Sequence, residues 1–424
     1  MRDHRPEGPP GHRVWPLYVG GFLGPYGSTM VTPMVHEVAA GLHSTPSTAA
    51  TAVTVYMLPF AACMLVSGTL AERWGRRRVL RTALAAFVVA TALCALAPTM
   101  ELFLTARAFQ GATNAFITPL LVAAISDLVG GERLAKALSW FAAAQAAGQG
   151  MSPLFSGVGA AVDWRLAFLV PGVCGLLLVC FPPSRSATRR ATTAHASWRS
   201  LADRRLALAC AVSFLAYLAA VGLTVLAVLR LNDRFGLGPV AIGLATSAFG
   251  VAGMAAAPWV GHLLRVQGPL RTGCASNVAM AVGLLCASLG THIAVVIAGL
   301  VLVGAAVTGL RSVTNTLAVT SVPDNRGGAA SLALSAQFFG GAAAAPVWLP
   351  VYHALGDRGF ALICVVPLLS AASLALASGR QRARTGPEAT RPGALATTPA
   401  APATAKTPTA PTRATPRTGR DGRT

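Results

Sequence analysis

Charge is what this chain has least of. Of its 424 residues only 11% are Asp, Glu, Lys or Arg, while 54% are hydrophobic and the mean hydropathy is +0.59. A soluble protein of this length carries about a quarter charged residues over its surface. A soluble globular protein is therefore excluded, and an integral membrane protein is expected. Acid is scarcer than base, with 14 Asp and Glu against 34 Lys and Arg. No acidic residue falls in the middle of an apolar run, so paired intramembrane carboxylates are absent. There is also no Ser-His-Asp pattern, no phosphate-binding glycine loop and no metal-ligand spacing. An enzyme is not expected, and neither is a metal or organic cofactor. All eight Cys lie inside apolar segments, where a thiol acts as a small hydrophobe rather than as half a disulfide.

What the chain does have is apolar runs of about 20 residues, the length that crosses a bilayer. Twelve are expected, near 14–36, 48–70, 79–97, 101–126, 135–160, 165–182, 206–230, 240–264, 270–289, 291–319, 328–354 and 359–378. The first is longer than a signal-peptide core and is broken by Gly and Pro, so it is read as an uncleaved span. The net charge of +20 sits in the two tails and in alternate loops. With twelve crossings nearly all Lys and Arg fall on one side, which places both termini in the cytoplasm of a plasma-membrane protein. Attraction to anionic lipid headgroups follows, and nucleic acid is not an expected partner. The organisation reads as a tail (1–13), a six-helix bundle (14–185), a polar linker (186–205), a second six-helix bundle (206–378) and a tail (379–424). The last is rich in Pro, Thr, Ala and Arg, a composition that favours disorder.

The two bundles echo each other at a shift of 193 positions. Gly68, Leu70 and Gly75 recur as Gly261, Leu263 and Gly268, Arg78 as Arg271, and Gly111 as Gly304. Arg133 recurs as Arg326, Gly148 as Gly341, Pro153 as Pro346 and Arg165 as Arg358. A single shift that carries Pro and Arg onto equivalent spans and loops indicates an internal duplication. Two such units around a shared cavity are what alternating access requires.

Between the second and third spans stands Gly68-Thr-Leu-Ala-Glu-Arg-Trp-Gly-Arg-Arg-Arg-Val-Leu80. It is too short and too basic to cross a membrane and forces its flanks into a helical hairpin. It resembles the signature loop of the major facilitator superfamily, G-x-L-a-D-r-x-G-r-r-x-x-l, with Glu72 in place of the usual Asp. The resemblance covers about 14–378. It implies an all-α membrane protein of twelve transmembrane helices in two six-helix repeats, and a secondary transporter. It also implies that Gly68, Glu72, Arg73, Gly75, Arg76 and Arg77 form a cytoplasmic latch. In that latch Glu72 caps the eleventh span and Arg76 or Arg77 pairs with Asp127. The second copy of the loop, Gly261 to Gly268, has no acid, so the latch is expected to be asymmetric.

Arg107 lies about two turns inside the fourth span, where a guanidinium costs at least a few kcal/mol unless it meets a cavity or an internal partner. Gln110, Gly111, Asn114 and Thr118 continue its face at helical spacing. The run Arg107-Ala-Phe-Gln-Gly111 resembles the family motif R-x-x-q-G, which implies substrate contact or proton coupling; carbonyl bonding with snorkelling is the alternative. Arg311, with Asn315 beside it on the tenth span, is the other in-span Arg, read either as a gating or anion-binding residue or as a snorkelling one. The fifth span carries Gly148, Ser152, Pro153 and Gly157, a partial match to the antiporter motif G-x8-G-x3-G-P-x2-G-G. Small residues there admit close helix approach, and the match implies a seam that favours export; ordinary small-residue packing is the alternative.

A proton carrier is harder to find. Glu37, beside His36 at the outer end of the first span, is the candidate. Tyr26 and Met30, Gln145, Tyr217 and Thr224, and Gln337 with Phe338 are expected to line the cavity. Few charges among aromatic, Met and amide groups suit a bulky apolar or weakly cationic compound. The expected function is export of a small organic compound, a drug or metabolite, by proton-coupled antiport from a monomer, with the proton gradient as energy source. A metabolite or sugar importer of the same fold, and a transporter-like membrane sensor, are the alternatives.

Overall fold

The computed structural model describes residues 11–129, 132–180, 202–322 and 326–384. Most of the expected linker, the N-terminal tail up to residue 10 and the C-terminal tail beyond 384 lie outside them. The described residues are nearly all helical and contain no strand. In chain order the helices are Gly11–Thr29 (α1), Val35–Gly41 (α2), Pro46–Trp74 (α3), Arg76–Leu96 (α4), Met100–Leu128 (α5), Glu132–Ala160 (α6) and Leu169–Cys180 (α7). There follow Arg204–Asp233 (α8), Pro239–Leu289 (α9), Ile293–Ser321 (α10), Arg326–Leu355 (α11), Asp357–Ala361 (α12) and Val365–Arg384 (α13). Among the described residues, the helices up to Gly379 pack into one compact unit.

Local chemistry fixes the helix starts. Thr45 and Thr99 accept hydrogen bonds from the amides of Thr48 and Leu102 at the heads of α3 and α5. Asp203 accepts from Arg205 and Leu206 at the head of α8, the usual N-cap solution for free amides. Pro46 and Pro239 occupy first-turn positions, where no amide donor is needed.

Among the described residues eight helices are long and apolar enough to cross a bilayer, counting all of α9 once. That helix is two spans joined at Gly268, whose φ of 77° is outside helical space. Gly75, which joins α3 to α4, has φ 88°. The two glycines are 193 positions apart, so both basic hairpins turn on a residue that must adopt a conformation unfavourable to side chains. Leu58, Val89, Leu93, Trp140, Trp259 and Leu369 stand exposed on the outside of the bundle, as expected of surfaces facing hydrocarbon.

The duplication is visible in the packing. A Cβ on Gly111 (α5) would lie 2.0 Å from the Tyr56 carbonyl (α3), and one on Gly304 (α10) 2.0 Å from the Phe249 carbonyl (α9). Both partners keep the shift of 193. A second pair of contacts corrects the sequence register by one residue. Gly148 (α6) meets the Phe22 carbonyl (α1), and its counterpart against the Phe214 carbonyl (α8) is Gly340, not Gly341. Gly341 instead faces the Met57 sulfur. One residue has been gained and then lost in connecting segments, where length change is tolerated.

Candidate functional site

Two helices of the first half, α3 and α4, and one carbonyl of α1 enclose the polar face found on α5. Arg107 is fully buried. It donates to Gln110 Oε1 and, at 2.8 Å, to the Gly27 carbonyl. Its guanidinium lies 4.3 Å from the Tyr56 ring centroid, a cation–π contact. Gln110 donates to Thr91 at 2.8 Å, and Asn114 donates to the Tyr56 hydroxyl. Arg107, Gln110 and Asn114 thus form one knot tying α1, α3, α4 and α5. Arg107 Nε and Asn114 Oδ1 have no partner among the described residues. Tyr26 is buried too, stacked on Phe22 at 5.1 Å, and does not line the central cavity.

The central cavity lies between the halves. It is lined by Pro25, Ser28 and Thr29 of α1, Met57 of α3, Gln149 of α6, Tyr217, Val221 and Thr224 of α8, Phe249 of α9, Val307 and Arg311 of α10, and Phe338 of α11. Tyr217, Thr224 and Phe338, expected on the lining, are on it, and so is Arg311, for which gating or anion binding and snorkelling were both open. Asn315 is exposed further along α10, Met30 is buried in the core, and Gln337 is buried with its Nε2 unpartnered among the described residues. Gln145 is half-buried and is not on the lining. Gln149, one helical turn beyond Gln145, takes the expected amide's place; the residue type was legible and the phase was not. With a volume of about 40 Å³, the cavity holds water and no larger solute. A second cavity, of about 590 Å³, opens at the face bearing the Arg-rich loop, between α3, α8 and α11.

The fifth-span motif has two faces. Gly148 and Ser152 fasten α6 to α1, the latter by donating to the Tyr26 carbonyl at 2.9 Å. Pro153 and Gly157 face α9 of the other half, where a Cβ on Gly157 would lie 2.4 Å from the Pro239 carbonyl. Gly150 and Gly250 meet in the same seam, with Gly250's Cβ position 2.3 Å from the Gly150 Cα. The sequence reading passed over Gly150, Gly243 and Gly250. Their signal was the matched seven-residue spacing of Gly150 to Gly157 and Gly243 to Gly250.

At the face opposite the Arg-rich loop, side chains tie the halves together. His36 of α2 lies 3.7 Å from Asp233 of α8, and Ser47 of α3 is 2.8 Å from His353 Nε2 of α11. Deeper in α3, Thr54 donates to the Ala342 carbonyl at 2.7 Å. Glu37 is half-buried beside this closure, with Oε2 unpartnered among the described residues. Burial pushes its carboxyl above the usual carboxylate range, against opposing contributions from backbone hydrogen bonding and His36. Arg230, at the end of the seventh expected span, was not singled out from the sequence. It is 1% exposed, bonds the Ala287 and Gly290 carbonyls at 2.6 and 3.0 Å, and pairs with Asp357 at 3.0 Å.

Of the expected latch, Gly75 forms the turn, Arg73 is exposed, and Arg76 and Arg77 are half-buried. The side chains of Glu72 and Asp127, and Gly68, lie outside the described residues.

The profile of the Major Facilitator Superfamily matches residues 17–346. Over 168 residues the chain is 26% identical to the uncharacterized MFS-type transporter YceJ of Bacillus subtilis, covering 40% of this chain and 43% of that one. It is 31% identical over 166 residues to a "Multidrug resistance protein B homolog" of Mycobacterium tuberculosis, covering 38% of this chain and 31% of the relative. The matches thus span less than half the length of these curated relatives. The crystal structure of a bacterial homolog of the human lysosomal transporter Spinster superposes with a TM-score of 0.73 at 14% identity, covering 88% of this chain and 98% of that one. This likeness shows the fold, which with the family is that of transporters and not of enzymes. The chain is a multi-pass membrane transporter belonging to the major facilitator superfamily.

Proposed function

We propose that this transporter exports a small, mostly apolar organic compound by alternating access, in exchange for protons, with both termini in the cytoplasm. The observation that carries the reading is the asymmetry of closure. The halves are tied at the face opposite the Arg-rich loop by His36–Asp233 and Ser47–His353, while the larger cavity opens at the loop's own face. Similarity to relatives named for multidrug resistance supports the export direction. The central lining supports the cargo class: Met57, Tyr217, Phe249 and Phe338 offer apolar and aromatic surface, and Arg311 is its one formal charge. A strongly cationic cargo is disfavoured by that charge.

Glu37 is the proposed proton site. Its carboxyl, raised by burial in this outer-closed form, holds a proton more readily than an exposed one would. The form in which the group's pKa is raised is favoured as pH falls through that pKa, so acid outside should favour closure. The test is proton counterflow in proteoliposomes carrying the whole chain. Glu37→Gln should flatten the dependence of export on external pH, and an unchanged dependence removes Glu37 from the mechanism. The latch roles of Glu72 and Asp127 belong to the same reading. Glu72→Ala should abolish export in protein that still reaches the membrane, and export at the normal rate would refute the role.

A further inference from the structure

We propose that the cavity between α3, α8 and α11 is a loading site for an apolar solute carrying one hydrogen-bonding group, and that Phe60, Phe338 and Tyr217 form the gate from it to the central chamber. The proposal rests on the export reading above and adds a second site to it.

The cavity's volume, about 590 Å³, is that of a small-molecule pocket. Leu65, Leu206, Cys210, Leu332, Ala336 and Phe339 supply apolar walls. Ser335 also lines it; this residue is 1% exposed, and its hydroxyl has no partner among the described residues. A buried, unmatched hydroxyl facing an apolar chamber is costly unless something bonds it, and a single polar group on the solute would do so. The two charged residues of the lining, Asp203 and Arg204, are opposite in sign and stand at the head of α8. Asp203 is already occupied by the amides it caps. The chamber therefore offers no net charge to an ion, and it is too small for the two chains of a membrane lipid.

The same three helices line the central cavity through Met57, Tyr217 and Phe338. On α3, Phe60 stands between Met57, at the central cavity, and Leu65, at the loading chamber. Its ring is 4.3 Å from that of Phe338, which is 6.2 Å from that of Tyr217. Phe338 faces the central cavity, and its neighbour Phe339 faces the loading chamber. Phe60 and Tyr217 are buried among apolar side chains and Phe338 is half-buried, so the rings close the way while packed and open it when α3, α8 and α11 part. A solute seated in the chamber thus has a route inward that the repacking of three rings opens.

The test uses the full-length chain in nanodiscs and N-phenyl-1-naphthylamine, a neutral apolar fluorophore with one N–H. Ala336→Trp, which fills the chamber, should weaken probe binding by about tenfold or more. Ser335→Ala should weaken it several-fold without changing the volume, and serves if the Trp variant does not fold. Thr224→Trp, which fills the central cavity, should leave probe binding intact and stop probe flux in liposomes. Phe338→Ala, which removes a gate ring, should speed flux. Undiminished binding in both chamber variants, binding lost only in Thr224→Trp, or a co-purified lipid that the probe cannot displace would overturn the loading site. Binding that obeys the chamber variants with no flux in the wild type would instead remove the export reading and leave the site standing.

Discussion

Each half of the molecule buries an arginine completely, and the two are accommodated in opposite ways. Arg107 sits within the first half with an amide oxygen, a backbone carbonyl and an aromatic face for company, and with no carboxylate paired to it among the described residues. Arg230 sits at the far end of the second half, against two carbonyls at the end of α9 and against Asp357, which also pairs with Arg234. In the first half the matching helix end, Ala97 of α4, is bonded at 3.3 Å by the partly exposed Arg165. Duplication has thus kept the task of covering that helix end and changed the residue that does it. The mid-membrane knot around Arg107 has no such counterpart, since the shift of 193 places Leu300 there. Residues that duplication preserved mark the scaffold, and the unmatched one marks where the halves have specialised.

The largest expected effect tests that contrast. Arg107→Met should strand Gln110 and the Gly27 carbonyl and cost on the order of 3 kcal/mol or more, with export lost. Arg230→Met should cost less, because Asp357 keeps Arg234 and is partly solvated. Melting temperatures of the two variants in one detergent decide the order; equal losses would dissolve the distinction. Next, Gly111→Ala and Gly304→Ala each push a methyl into a backbone carbonyl and should destabilise by about 1–3 kcal/mol. Near-equal melting shifts would sharpen the case for equivalent packing, and a shift in only one half would break it. Gly75→Ala and Gly268→Ala strain a positive φ without meeting any atom within 4 Å, at about 1 kcal/mol each. Gly75, at φ 88° and ψ 117°, is outside the left-handed helical well that Asn tolerates, so Gly75→Asn should cost as much as Gly75→Ala, and restoration by Asn would contradict a backbone cause. Smallest is the outer tie. Asp233 is well exposed, so Asp233→Asn should change stability by no more than about 1 kcal/mol; the reading to follow is a shift toward the outward-open population in spin-label distances.

Much of this was legible in the residues. The twelve runs, the Arg-rich hairpin and the glycine repeat depend on local composition and spacing, and these set helices, topology and turns. The polar face on α5 was also legible, because period and residue type coincide. That face was expected to meet either a cavity or an internal partner, and the structure gives it internal partners. Which side of a helix meets water or neighbours is decided by packing against three other helices, which spacing along one helix does not encode. Gln149 rather than Gln145, and Gly340 rather than Gly341, are errors of phase of the same kind. Arg230 was hidden because a basic residue near a span end looks like an orientation signal. Its carbonyl partners at Ala287 and Gly290 come from a segment almost 60 positions away.

The central claim is that the two halves move against each other about a chamber closed by turns at either face. Ser47 and His353, 2.8 Å apart across the far face, allow it to be tested directly. In a background without the native thiols, Ser47→Cys with His353→Cys can be bridged by a reducible bifunctional methanethiosulfonate, which spans the gap the imidazole leaves, and solute flux measured before and after reduction. Flux that vanishes on cross-linking and returns on reduction is predicted. Undiminished flux through the fully cross-linked protein would contradict the account.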